Sequence, residues 1–297
     1  VIMWFHSGEA AMVRERGARW AAGVMAAVCM LLLLGPSAAP SSGASLAGRL
    51  PFDAPGEAVP ERVATWNICN PCGGSGRNFG RATEIATSAP QVIGLQEACV
   101  RDVEEIRTYL KEVYGLVYHV EYGTVLRNWN RCGGLPWRPG GFGQAILSAA
   151  PMTDRESVPY PDGGSENRGY LAVTTLVAGR PVRVFDTHLA ERRQGGVRAG
   201  QVRVLAAEVA RHDRAIVLGD FNAVPTAPEL APMWPLAADT DPACRPEPTA
   251  GAPCTPTTDW NLKFDYVFLR GPTPHTHRVR PSPYSDHHVL HTDLNRS

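Results

Sequence analysis

The chain lacks a net charge: 29 Lys and Arg residues stand against 29 Asp and Glu. Bulk charge therefore supplies no general attraction to a polyanion, and any such attraction has to come from a local basic groove. A stretch of membrane-spanning length is missing as well, since the apolar run over 21–35 falls short of the ~20 residues that a spanning helix needs. After residue 60 there is neither an internal repeat nor a Pro/Gly linker long enough to separate domains, so a repeat array and a two-domain split are both excluded there. Cys69-Asn70-Pro71-Cys72 has no accompanying His motif and no thioredoxin-like surroundings, which argues against half a zinc site or a redox pair.

What is present begins with a leader pattern. Arg14, Arg16 and Arg19 precede the apolar run, and Pro36-Ser37-Ala38-Ala39-Pro40 with further small residues follows it. A basic start, a short apolar segment and small residues make residues 1–47 a secretory signal peptide with a low-complexity lead-in; an uncleaved membrane anchor is the alternative. Residues 60–297 are then one domain of an exported protein. Cys29 lies inside the leader, which leaves Cys69, Cys72, Cys99, Cys132, Cys244 and Cys254. An even count in an oxidising compartment favours disulfides, and Cys244 with Cys254 closes a Pro- and Thr-rich loop. The other four allow three pairings that the sequence does not rank.

Apolar runs read as strands over 62–68, 92–96, 117–121, 145–148, 171–177, 182–189, 215–220, 264–269 and 289–292. Helical spacing of Val103, Ile106, Leu110 and Val113, and of Val202, Leu205, Ala206 and Val209, predicts helices over 102–113 and 202–212, with a weaker one over 79–88. Short turns between some strands and helical crossovers between others imply mixed sheets with helices outside. Two long loops, 124–143 and 235–258, remain.

The polar residues fall where these runs end. Ala215-Ile216-Val217-Leu218 empties into Gly219-Asp220-Phe221-Asn222, which sets a carboxylate and a carboxamide two residues apart and, in an extended segment, on one side. Asn67, Glu97, His188 and Asp286-His287 stand at the ends of four other runs. Carboxylates, amides and imidazoles gathered at strand ends are the groups that metal-assisted hydrolysis uses.

In order, Thr65-Trp66-Asn67, Leu95-Gln96-Glu97, Ala145-Ile146-Leu147-Ser148, Asp186-Thr187-His188-Leu189, Gly219-Asp220-Phe221-Asn222, Phe264-Asp265-Tyr266-Val267 and Ser285-Asp286-His287-His288 resemble the endonuclease/exonuclease/phosphatase superfamily, the DNase I-like hydrolases. The resemblance covers about 60–294. It implies a four-layer α/β sandwich, two packed mixed β-sheets flanked by helices, and a metal-dependent phosphoric ester hydrolase. It also implies roles. Asn67, Glu97 and Asp286 surround a divalent cation whose oxygen ligands suit Mg²⁺, with Mn²⁺ or Ca²⁺ as substitutes. Asp220 and Asn222 orient water and phosphoryl oxygens, His287 acts on the phosphate with Asp265 fixing its tautomer, and His188 donates to the phosphate. Arg168 supports the phosphate end. Gln144 stands where many members have Asn and also lies toward the phosphate.

Arg127, Trp129 and Arg131, with Trp137 and Arg138, interleave basic and aromatic side chains in one expected loop, and Arg192, Arg193 and Arg198 follow the His188 strand. Such a rim suits the phosphates and bases of nucleic acid, making a secreted, DNase-like phosphodiesterase the leading expectation. Aromatics on loops suit a lipid surface too, so a sphingomyelinase or other phospholipid phosphodiesterase is the alternative, followed by an inositol-phosphate phosphatase and, last, a non-catalytic binding protein on this scaffold. No obligate protein partner is indicated and a monomer is expected.

Overall fold

The computed structural model describes residues 56–70, 72–244, 246 and 253–295. The leader expected over 1–47 lies outside them. Among the described residues fourteen strands form: β1 Val59–Asn67, β2 Pro90–Cys99, β3 His119–Arg127, β4 Gly134–Leu135, β5 Arg138–Pro139, β6 Gly141–Ser148, β7 Thr153–Pro159, β8 Gly169–Val177, β9 Arg180–His188, β10 Ala215–Asp220, β11 Ala238–Asp239, β12 Asp265–Arg270, β13 Arg278–Arg280 and β14 Val289–Asp293. The α-helices are α1 Asn78–Ser88, α2 Val100–Tyr114, α3 Trp129–Cys132 and α4 Gly195–Val209.

Two six-stranded sheets result, in the orders β13-β14-β1-β2-β6-β3 and β11-β12-β10-β9-β8-β7. Each is mixed, because β1–β2 and β9–β10 pair in parallel and the other neighbours antiparallel. Alternation along β10 explains the layering. Ile216 and Leu218 face the first sheet among Val63, Val92, Val184 and Leu290, while Ala215 and Val217 face α4 with Val202, Leu205 and Val209. Behind the first sheet, Trp66, Ile93 and Leu95 pack on Ile85, Val103 and Ile106 of α1 and α2. Full burial of each such side chain stabilises by roughly 1.5–3 kcal/mol. The four-layer α/β sandwich expected from the sequence is the fold.

Several elements differ from the sequence reading. Strand 117–121 moves to His119–Arg127, and the long loop after it holds the end of β3, α3, the β4–β5 hairpin and the start of β6. Edge strand β7 was hidden because most of Thr153–Pro159 is exposed and carries no apolar run. The helix expected over 202–212 starts earlier, at Gly195, where two glycines mask its first turn. Cysteines pair 244–254 as expected, and the open set resolves to 69–72 and 99–132.

Candidate active site

Register brings the second sheet's share together on one rung. Asp220 at the end of β10 stands opposite His188 at the end of β9 on one side and Asp265 at the start of β12 on the other. Gly219 makes this close approach possible: its φ is 149°, and a Cβ there would lie 2.1 Å from the Thr187 carbonyl oxygen. The first sheet adds Asn67 at the end of β1 and Glu97 within β2. Glu97 has φ 52° and sits where the β2–β6 register breaks between Leu95 and Ala98. That bulge and the left-handed backbone re-aim one side chain out of the sheet's alternation, a distortion typical of functional positions.

Hydrogen bonds join the two shares. Asn67 Nδ2 donates to Asp220 Oδ2 at 3.1 Å and to Glu97 Oε1 at 3.3 Å, while its Oδ1 accepts from Cys69 N at 2.9 Å. Asn67 thus presents nitrogen to the carboxylates and bridges them. Asp220 Oδ2 also lies 3.4 Å from His188 Nε2 and 3.6 Å from His287 Nε2, so two imidazoles converge on one carboxylate oxygen. Asn222 does not continue an extended strand. Its φ is 50°, its N–H donates to Asp220 Oδ1 at 2.8 Å in an Asx turn, and its Nδ2 donates to the Leu189 carbonyl at 3.1 Å beside His188.

His287 is held on every side. Asp265 Oδ2 and Oδ1 lie 2.9 and 3.1 Å from its Nδ1, Trp66 Nε1 donates to its carbonyl at 3.0 Å, and Ser285 Oγ accepts from its N–H at 3.0 Å. Asp265 is fixed in turn, because Thr257 Oγ1 accepts from its N–H. Burial opposes charge on His287, but the carboxylates of Asp265 and Asp220 outweigh it and raise its pKa to about 10. His188 goes the other way. Burial, then the Arg168 guanidinium, hold it well below the usual histidine range. Arg168 Nη1 lies 2.9 Å from His188 Nδ1 and Asn222 Nδ2 lies 3.1 Å from its Nε2, so a donor-only group faces each nitrogen of the neutral ring. Burial pushes Asp220 up to about 6, against the pull of His287, and raises Glu97 above the usual carboxylate range against its bond from Asn67.

The remaining expected residues fall into distinct places. Arg131 pairs with Glu166 and covers the ring of Phe142; Glu166 also pairs with Arg168 at 2.9 Å, making a chain of alternating charge that ends on His188. Gln144 is buried and donates to the Gly169 carbonyl at 3.2 Å, next to the rung of His188. Asp286 stands beside the Cys69–Cys72 disulfide, whose bonded sulfurs cannot act as thiolates. Arg127 and Trp129 are exposed. Arg198 leaves the expected basic rim altogether: it is buried, paired with Glu229 at 2.5 Å and donates to the Ala190 carbonyl. Sequence reasoning missed Glu166, Ser285 and Trp260. Trp260, 45% exposed, sets its ring edge-on to His287 at 5.4 Å, and the only sequence signal was an indole in the polar turn before the Asp265 motif.

A divalent cation suits this donor set. Glu97 and Asp220 are buried carboxylates bridged by the Asn67 amide, and Asp220, Asp265 and His287 form a group whose ligand atoms lie within 4.8 Å of one another. Hard oxygen donors match Mg²⁺-type ions.

Residues 64–287 match the profile of the Endonuclease/Exonuclease/phosphatase family. A search of curated proteins found no match. Among solved structures, the endonuclease/exonuclease/phosphatase from Beutenbergia cavernae is 24% identical with a TM-score of 0.60, covering 79% of this chain and 71% of that one. The human Nocturnin catalytic domain with bound sulfate is 22% identical, with a TM-score of 0.60 and 80% and 93% covered. D. rerio TDP2 complexed with single strand DNA product is 17% identical, with a TM-score of 0.59 and 79% and 98% covered. These likenesses concern the fold.

Proposed function

We propose that the protein is a nuclease that hydrolyses phosphodiester bonds of nucleic acid, from the premise that the chain belongs to the Endonuclease/Exonuclease/phosphatase family and is a metal-dependent phosphoric ester hydrolase. The observation that carries the chemistry is the convergence of His188 Nε2 and His287 Nε2 on Asp220 Oδ2. A carboxylate with a pKa of about 6 serves as a base for water near neutral pH. The N–H donor of the cationic His287 ring beside it meets the negative charge that grows on the phosphoryl oxygens. Asn222 orients the water at Asp220, and Asp265 keeps the His287 Nε2 proton facing the site. A divalent ion would be held by Glu97 with Asp286 as a further expected ligand, since Asn67 turns its nitrogen to the carboxylates, and would supply Lewis-acid polarisation of a phosphoryl oxygen.

Nucleic acid is favoured as substrate because Trp260, partly exposed and edge-on to the reacting imidazole, offers an aromatic ring on which a base beside the scissile phosphate can stack. A second reading, a phospholipid phosphodiesterase, is favoured by Trp129, Leu135 and Trp137, the last 80% exposed, which offer apolar surface to a bilayer. Export belongs to the proposal, and three disulfides suit an oxidising compartment. The test is purified protein with plasmid DNA, RNA, sphingomyelin and inositol phosphates, each with Mg²⁺, Mn²⁺ or EDTA. Metal-dependent cleavage of DNA or RNA is expected; turnover of sphingomyelin alone would replace this reading with the second.

A further inference from the structure

A second concave site opens farther along the sheet edge that carries Glu97. It has a volume of about 550 Å³ and is bounded by the start of α2, the end of β3 and the β4–β5 hairpin. Arg101, Arg127 and Arg138 line it together with Tyr122, Val100 and Leu135, and no carboxylate is among its lining residues. Arg127 and Arg138 are exposed and form no ion pair among the described residues. Arg101 lies 3.6 Å from Asp102, but that carboxylate already accepts from the amides of Asn70 and Asn78. The cleft is therefore cationic in a chain that has no net charge.

Its walls are built. Cys132 at the end of α3 is bonded to Cys99 at the end of β2, and Asn128 caps α3 by accepting from Arg131 N at 3.0 Å. Gly140 N donates to the Gly133 carbonyl at 2.8 Å, and Asn128 N to the Gly140 carbonyl at 3.0 Å, which closes the base of the hairpin. Gly134 has φ 94°, and a Cβ there would meet the Arg138 carbonyl oxygen at 2.6 Å, so this turn of the hairpin requires glycine. The path back to the reacting centre is continuous. Cys99 pairs with Phe142 and Ala98 with Gly143, the next residue Gln144 donates to the Gly169 carbonyl, and Gly169 pairs with His188.

We propose that this cleft binds a phosphate of the nucleic-acid strand, one or more nucleotides from the bond that is cut. The proposal rests on the nuclease reading above. Guanidinium groups without carboxylate partners hold phosphate oxygens through paired N–H donors, and the apolar floor of Val100 and Leu135 accepts a sugar or base face. The volume is that of a small-ligand site. Arg131 does not belong to it, since Glu166 and Phe142 occupy its guanidinium.

The test is fluorescence anisotropy of the full chain in EDTA with a labelled oligothymidylate of about twelve nucleotides, a length within the site sizes of single-strand binders. Wild type is compared with Arg127→Gln/Arg138→Gln and, as a second variant, Arg101→Gln, with circular dichroism to confirm folding. Loss of the one phosphate held in the cleft reduces the salt slope by about 0.7, so between about 50 and 200 mM NaCl wild type loses about 2.6-fold more affinity than the double variant. An unchanged slope in both variants overturns the proposal. So does a double variant that loses binding to phosphatidylserine vesicles while keeping its oligonucleotide affinity. Adding Mg²⁺ separates the two readings. Arginine-dependent binding with no cleavage by wild type removes the nuclease and leaves the cleft, whereas cleavage with an unchanged slope removes the cleft and leaves the nuclease.

Discussion

Replacing Asp265 by Asn tests the charge assignment at His287 with two readouts that move in opposite directions with pH. The substitution keeps the size of the side chain and removes the carboxylate that lies 2.9 and 3.1 Å from Nδ1. With Asp265 present the imidazole titrates near pH 10 in place of 6.5. That difference of 3.5 units corresponds to at most about 5 kcal/mol of preference for the charged ring. Without it Asp220 and Asp286 alone oppose burial, and the ring titrates lower than in wild type. The raised pKa stabilises the fold fully below about pH 6.5, and this contribution is lost as pH rises toward 10. Denaturant unfolding should therefore show the largest stability gap between wild type and variant near pH 6, with the gap shrinking as pH rises. Turnover should do the reverse. Near pH 6 the two proteins differ least in histidinium, whereas near pH 8 the variant holds less of it than wild type, and the ratio of turnover numbers should grow toward about 10²–10⁴. Parallel pH profiles for the two proteins, or near-native turnover of the variant at pH 8, would refute the reasoning.

Three further outcomes are expected. Glu97→Gln should fold normally and lose nearly all turnover at modest Mg²⁺, with isothermal titration showing weakened metal binding; full activity in EDTA would sink the metal assignment. Asp186, buried, bonded to Gln96 Nε2 at 2.5 Å and held by burial well above the usual carboxylate range, contributes stability only below the ordinary carboxylate pKa and loses it as pH rises. Asp186→Asn should thus melt within about 1 kcal/mol of wild type near pH 4 and gain on it at higher pH, and a gap that narrows with pH would be wrong for a buried acid. Joint replacement of Cys99 and Cys132 by Ser, which opens a loop of sequence separation 33, should lower unfolding stability by up to about 3.7 kcal/mol, read by urea denaturation.

Much of the second sheet was legible because its central strands are buried on both faces. The run of β10 is continuous in apolar residues and β9 carries Val182, Val184 and Phe185 before its polar end, so the ends stood out as Asp220 and His188. Edge strands gave no such signal: β7 exposes most of its residues, and β13 has three. Site membership was legible where a residue sits at a strand end, and misread where the backbone leaves the extended region. Asn222 reaches His188 through a left-handed turn that two-residue alternation does not describe. Charge partners were opaque for another reason. Glu166 connects Arg131 to Arg168 across 35 and 2 residues, and nothing local in the sequence marks such a pairing.

The strand order also fixes when the protein can act. His287 lies 221 residues beyond Trp66, whose indole holds its carbonyl, and β14, just after it, completes the first sheet by pairing with β1. A ribosome making this chain releases Asn67, Glu97, His188 and Asp220 well before the imidazole that works with them. At about 5–20 residues per second, the stretch between Asp220 and His287 alone occupies several seconds of synthesis. Joining elements so far apart in sequence is slow as well, because a large loop must close before its contacts form. The nascent polypeptide therefore stays inert through most of its translation, and its reactivity begins only when a late strand is laid against an early one.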